Sequence, residues 1–95
     1  MADNSSMTNV TMVEQYGKNI AQVNQQMLQI FQKMKQQTQS VGTYWKDDMY
    51  TRFSQDFDQD ILKKVREISL KMEMFSKYVE KQCQFHRMAQ QNKYM

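Results

Sequence analysis

The side chains of this chain that could do chemistry are Cys83, His86, a group of aspartates and one tryptophan. Cys83 and His86 are three residues apart, a spacing that puts both on one side of a helix, where a thiolate and an imidazole could meet a metal ion. A structural zinc site takes four ligands, however, and the chain holds a single Cys and a single His. A packed thiol and an interfacial imidazole are the simpler reading, with no metal and no other cofactor expected. Asp47, Asp48, Asp56, Asp58 and Asp60 crowd one region but lack the glycine and the closing bidentate Glu of a calcium loop. Ser, His and Asp all occur, yet the lone His is near the C-terminus, and there is neither a Gly-x-Ser-x-Gly elbow nor a glycine-rich phosphate loop. No catalytic residue is expected, so the function to look for is binding.

The remaining candidate is Trp45, in the stretch Val41-Gly42-Thr43-Tyr44-Trp45-Lys46-Asp47-Asp48, which also holds one of only two Gly residues. A large amphipathic ring suits a core position that anchors a bend as well as an exposed recognition position. The elements around it decide what it can do. With no Pro and two Gly in 95 residues, the usual helix breakers are missing and the fold class is all-α. A chain this short buries little of its surface, so partner helices would add much to its stability.

Two long segments carry helical periodicity. Residues 1–10 are polar without period and read as a flexible N-terminus. Thr11 and Glu14 have the spacing of a capping box, so helix 1 is expected over 11–41. Its apolar positions Val13, Tyr16, Ile20, Val23, Met27, Ile30 and Met34 step by three and four, the heptad seam of packed helices. Gly17, Ala21, Leu28 and Phe31 form a neighbouring row, small early and bulky late. The opposite face, with eight Gln between 22 and 39, reads as solvated.

Gly42 in a left-handed conformation would end this helix and Thr43 would cap the next, giving a bend at 42–44. Helix 2 is expected over 45–90, with 91–95 a flexible C-terminus and 11–90 a single domain. It opens with Trp45, Met49, Phe53, Phe57 and Ile61 at spacings of four, then changes to the alternation Ile61, Val65, Ile68, Met72, Phe75 and Val79. A second stripe, Leu70, Met74, Tyr78, Phe85 and Met88, lies on a different face that a lone hairpin could not cover, which points to another protein surface. The expected architecture is two antiparallel helices in a hairpin that dimerises into a four-helix bundle.

Charge is uneven along the chain. Residues 1–43 carry Lys18, Lys33 and Lys35 against Asp3 and Glu14, a net +1, while residues 44–60 carry Lys46 and Arg52 against five Asp, a net −3. Residues 61–95 carry eight Lys or Arg against Glu67, Glu73 and Glu80, a net +5. Acid near the start of helix 2 and base toward its end match the helix macrodipole. The basic segment with Tyr78, Phe85 and Tyr94 could also meet nucleic acid or a membrane surface, but its charges are spread around the helix, and its apolar stripe is what a dimer would bury. No run approaches the roughly 18 apolar residues of a membrane span, no cleavable signal is visible, and a single Cys gives no sign of oxidative folding. A cytoplasmic site of folding is expected, with export by a specialised machine left open.

Two heptad-patterned helices in a chain of this length, with a Trp in the bend, resemble the WXG100 superfamily of small ESAT-6-like proteins from specialised secretion systems. The specific part of the likeness is Trp45, Asp47 and the aromatic ladder Phe53 and Phe57. Where the family has Trp-x-Gly, this chain has Trp45-Lys46-Asp47, and Tyr78 is followed four residues later by Gln82 instead of the acid of a Tyr-x-x-x-Asp/Glu export signal. The resemblance implies a helical-hairpin homodimer or a heterodimer with a similar chain. Such a dimer would travel through or belong to a bacterial secretion apparatus as substrate, effector adaptor or chaperone, and act by binding. A helical subunit of a contractile injection machine fits the same pattern. Since Gly42 and Thr43 suffice for the reversal, Trp45 and Asp47 remain for recognition at an acidic tip, with Met49, Phe53, Leu70, Met74, Tyr78 and Phe85 as further contacts.

Overall fold

The computed structural model describes residues 7–92; of the expected flexible ends 1–10 and 91–95, residues 1–6 and 93–95 lie outside the described residues, while Val10 and residues 91–92 belong to helices. The described chain is all-helical, without a strand: α1 spans Val10–Val41, α2 spans Asp48–Asp56, a π turn spans Phe57–Ile61 and α3 spans Leu62–Asn92. No helix among the described residues is long and apolar enough to cross a membrane. The chain divides into two compact units, one joining the residues up to Val23 to those from Met72 onward, the other comprising Asn24–Lys71.

α1 starts one residue before the expected position, with a different cap. Asn9 turns its Oδ1 to accept from the Met12 N–H at 3.1 Å, so the side chain that satisfies the first turn is Asn9 and not Thr11. Thr11 and Glu14 are thereby available to α3. Arg87 donates from Nη2 and Nε to the two Glu14 carboxylate oxygens at 3.0 and 3.3 Å and reaches Thr11 Oγ1 at 3.4 Å. The capping box of the sequence is a cross-helix clamp in the fold. Its hydrogen bonds from Arg87 hold the Glu14 carboxyl below the usual carboxylate range.

Within the first unit the two helical segments run antiparallel, since Val10 meets Cys83 and Gly17 meets Ser76 and Val79. Ser76 Oγ donates to the Gly17 carbonyl at 3.1 Å, and a Cβ placed on Gly17 would lie 2.8 Å from Val79 Cγ1. Gly17 is therefore required by close approach. Cys83 is fully buried here, its Sγ 4.0 Å from the Val10 carbonyl, and burial pushes its thiol up from the ordinary value. It faces this seam as a packed side chain. The last turn of α3 as described holds no basic residue, so the expected charge compensation at that helix end is missing there.

In the second unit Phe57 is buried and its ring lies 6.5 Å from that of Phe31, with Val65 buried further along. The α1 side of the contact in this unit is a row spaced by sevens: Asn24 and Thr38 are buried and Phe31 half-buried, and Gly17 holds the same heptad position of α1 in the first unit. This row lies next to the one that hydrophobicity predicts. Of the expected core residues, Phe57, Val65 and Val79 are buried and Val13, Ile20, Met27, Ile61 and Met72 half-buried, whereas Val23, Ile30, Met34, Ile68 and Phe75 are exposed in this single chain. Small residues win the inner position because they let the helices come close. Asn24 Oδ1 is buried and receives no hydrogen bond from the described chain, the kind of polar seam residue that specifies register at a cost in stability.

Replacing Gly17 by Ala should therefore cost up to roughly 2 kcal/mol, overpacking of about 1–3 kcal/mol less the roughly 1 kcal/mol that Ala gains over Gly in helix propensity. Urea denaturation would measure it, and the penalty should vanish in a Val79→Ala background. The clamp gives a pH dependence. Because the folded Glu14 carboxyl is depressed, its stabilisation is complete above the unfolded carboxyl value and is lost as pH falls through the folded one. The difference in melting temperature between the wild type and Glu14→Gln should thus be present at neutral pH and close on acidification below about pH 4.

Candidate functional site: the bend

The reversal between α1 and α2 is built from backbone hydrogen bonds and one carboxylate. The Tyr44 and Trp45 N–H groups both donate to the Val41 carbonyl at 2.9 Å, and Thr43 N–H donates to Ser40 at 3.1 Å, which closes the end of α1. Gly42 does not take the left-handed conformation expected of it; no described glycine has a positive φ. Its role is spatial. A Cβ there would lie 2.8 Å from the Tyr50 hydroxyl oxygen and 3.2 Å from the Gln39 carbonyl, so the missing side chain is the room that Tyr50 occupies.

The cap of α2 is Asp47 and not Thr43, and the helix begins at Asp48 and not at Trp45. Asp47 has extended backbone, and its Oδ1 accepts from the Tyr50 N–H at 2.8 Å. Its Oδ2 accepts from the Trp45 indole Nε1 at 2.8 Å. Both carboxylate oxygens are thus engaged by the chain itself. The Trp-x-Asp spacing is a local lock in which the residue that starts α2 also fixes the indole.

Fixed in this way, Trp45 lies against Tyr50, ring centroids 5.8 Å apart, and keeps 52% of its surface exposed. Tyr50 in turn donates its hydroxyl to the Thr38 carbonyl, in the last turns of α1. The α1 end, the bend and the first turn of α2 are consequently tied through one phenol. Together with Met34, Gln37, Thr38, Val41 and Phe53 the two rings line a shallow apolar groove of about 250 Å³. Trp45 and Phe53 of the predicted contact residues line it; Met49 is exposed on the same short helix.

The other predicted contacts lie elsewhere. Leu70, Met74, Tyr78 and Phe85 are exposed along α3, where Lys81 Nζ stands 5.9 Å over the Phe85 ring. In the first unit Tyr16, Phe75 and Tyr78, placed on three different rows by sequence, form one exposed aromatic cluster: Tyr16 packs edge-on to Phe75 at 6.3 Å and Tyr78 stacks on Phe75 at 6.0 Å. A second hollow of about 290 Å³ in that unit has a mixed lining, with Glu14, Lys18, Glu80 and Gln84 beside Gly17 and Ala21. No three His, Cys, Asp or Glu side chains converge among the described residues.

Compared with known proteins, the chain matches no family model, no curated protein and no solved structure. The geometry of the bend therefore has to speak for itself. Tyr50 and Thr38 are the members of this site that sequence reasoning did not single out. The available signal was Thr38 standing seven residues beyond Phe31 in the inner row, with Tyr50 three residues after a capping Asp.

Asp47→Ala should destabilise the protein by about 1 kcal/mol through loss of the cap. It should also shift the emission of the sole Trp to longer wavelength as the indole loses its acceptor and its place against Tyr50. A chemical melt followed by Trp45 fluorescence reads both effects at once.

Proposed function

We propose that this chain is a non-enzymatic, WXG100-like helical binding protein that pairs with a second helical hairpin, its own copy or a similar chain, and presents its bend to a component of a secretion apparatus. The observation that carries this reading is the row Tyr16, Val23 and Ile30, spaced by sevens on α1 and between 52% and 63% exposed. Tyr16 meets Phe75 edge-on, yet the row as a whole stays more than half exposed within the chain, and another helix is the surface that buries such a heptad seam. Exposed Leu70, Met74, Phe85 and Met88 on α3 support the same need.

The place in secretion rests on the resemblance carried by Trp45, Asp47, Phe53 and Phe57. The lock between Trp45 and Asp47 supports a recognition role for the bend, because an indole held in one orientation while half exposed loses little freedom on binding. The protein would work as substrate, adaptor or chaperone of the apparatus, through protein contacts alone.

Sedimentation at micromolar concentration tests the pairing. The wild type is expected to run as a dimer, and Val23→Glu with Ile30→Glu to run as a helical monomer of unchanged circular dichroism. A wild type that stays monomeric there, with no pairing chain recovered from its native cell, would sink the proposal. In that cell Trp45→Ala is expected to keep the dimer and lose the apparatus partner.

A further inference from the structure

The π turn at Phe57–Ile61 sits between two stretches that follow the same heptad out of step. Before it, Tyr50, Ser54 and Phe57 turn toward α1; after it, Val65 and Ser69 do so, and from Phe57 to Val65 the count is eight instead of seven. One extra residue is present, and Ile61 and Leu62 are both half-buried where a regular seam has room for one. The hydrogen bonds agree. Leu62 N–H reaches back five residues to the Phe57 carbonyl, and the Phe57 N–H is shared between Phe53 and Ser54.

A straight α-helix through this region would turn α2 by about 100° relative to α3, the rotation of one residue. Counting back by sevens from Val65 and Leu62, the row then facing α1 would be Asp58, Gln55, Thr51 and Asp48, all polar and all exposed at present. Phe57 and Tyr50 would leave α1 at the same time. The groove lined by Tyr50, Phe53 and Trp45 exists only while the π turn takes up the extra residue.

We propose that the π turn is a register switch for the bend. In the seated state it lays Tyr50 and Phe57 on α1 and shapes the groove. In the straightened state α2 regains ordinary helical hydrogen bonds, rotates, and offers the same aromatic row outward. The inference stands on the seam and the hydrogen bonds and does not depend on the partner proposed above.

Two variants of the full chain push the switch in opposite directions. Deletion of Gln59 removes the extra residue, so the seam becomes a continuous heptad and the seated state is locked. Asp58→Leu with Gln55→Leu makes the straightened row apolar. Two NMR readouts follow the state: the nuclear Overhauser contact between the Gly42 Hα protons and the Tyr50 ring, and amide exchange over residues 48–61.

The deletion is expected to keep the contact and slow exchange over 48–61 by roughly tenfold or more, toward the protection of mid-α3 amides. The double substitution is expected to lose the contact while helicity is retained. Contact and exchange unchanged from wild type in either variant would overturn the switch. Loss of helicity on deletion would also overturn it, because a continuous heptad seam must fold.

Discussion

The structure depends on a narrow contact. α1 presents to its own chain the row Gly17, Asn24, Phe31 and Thr38, three of whose four members are small or polar, and the tightest point is Gly17 under Val79. A row with so little side chain lets two helices approach closely, and close approach turns the bulky neighbours outward. Tyr16, Val23 and Ile30 are one residue earlier in each heptad, rotated by about 100° on the helix, and they stay exposed. The economy of the inner seam and the abundance of apolar surface outside it are thus one fact. A chain that held itself together with its largest side chains would have none left to offer a partner.

The bend follows a similar logic of short side chains and specific hydrogen bonds. Gly42 contributes the absence of a side chain, Thr38 a main-chain carbonyl and Asp47 two acceptor oxygens. Each serves an aromatic ring: Tyr50 fills the space over Gly42, and Trp45 is held by Asp47. The rings are oriented by polar contacts while their faces remain partly open, a combination suited to recognition. The π turn belongs to the same design, since without it Tyr50 would stand about 100° away from Thr38.

Several of these features were legible in the sequence, each for a physical reason. Helicity followed from the absence of breakers, the extent of α1 was read to within a residue although from cap patterns the fold does not use, and the change in spacing at Ile61 coincides with the end of the π turn. A run of apolar residues every four positions drifts by about 40° per step on an α-helix, and the drift is what the π turn takes up. The errors were local. Thr11 with Glu14, and Gly42 with Thr43, satisfy the patterns of caps, but Asn9 and Asp47 do the capping. A pattern of a few residues says that a side chain can bond a nearby backbone group, and it does not say whether a distant group, here Arg87, takes that side chain instead or whether a neighbour such as Asp47 is better placed to cap.

The sequence by itself determined that the chain is helical, that it reverses near Gly42, and that it has more apolar surface than two helices can bury in each other. Periodicity and composition are properties of single helices, so one helix at a time suffices to read them. Only the tertiary structure decided which of two adjacent heptad rows faces inward. Judged by hydrophobicity, Val23 and Ile30 outrank Asn24 and Phe31 as a pair, yet the inner position goes to their neighbouring row, whose Gly17 fits under Val79 and whose Phe31 meets Phe57. Fit between two helices is a property of the pair, and neither segment carries it alone.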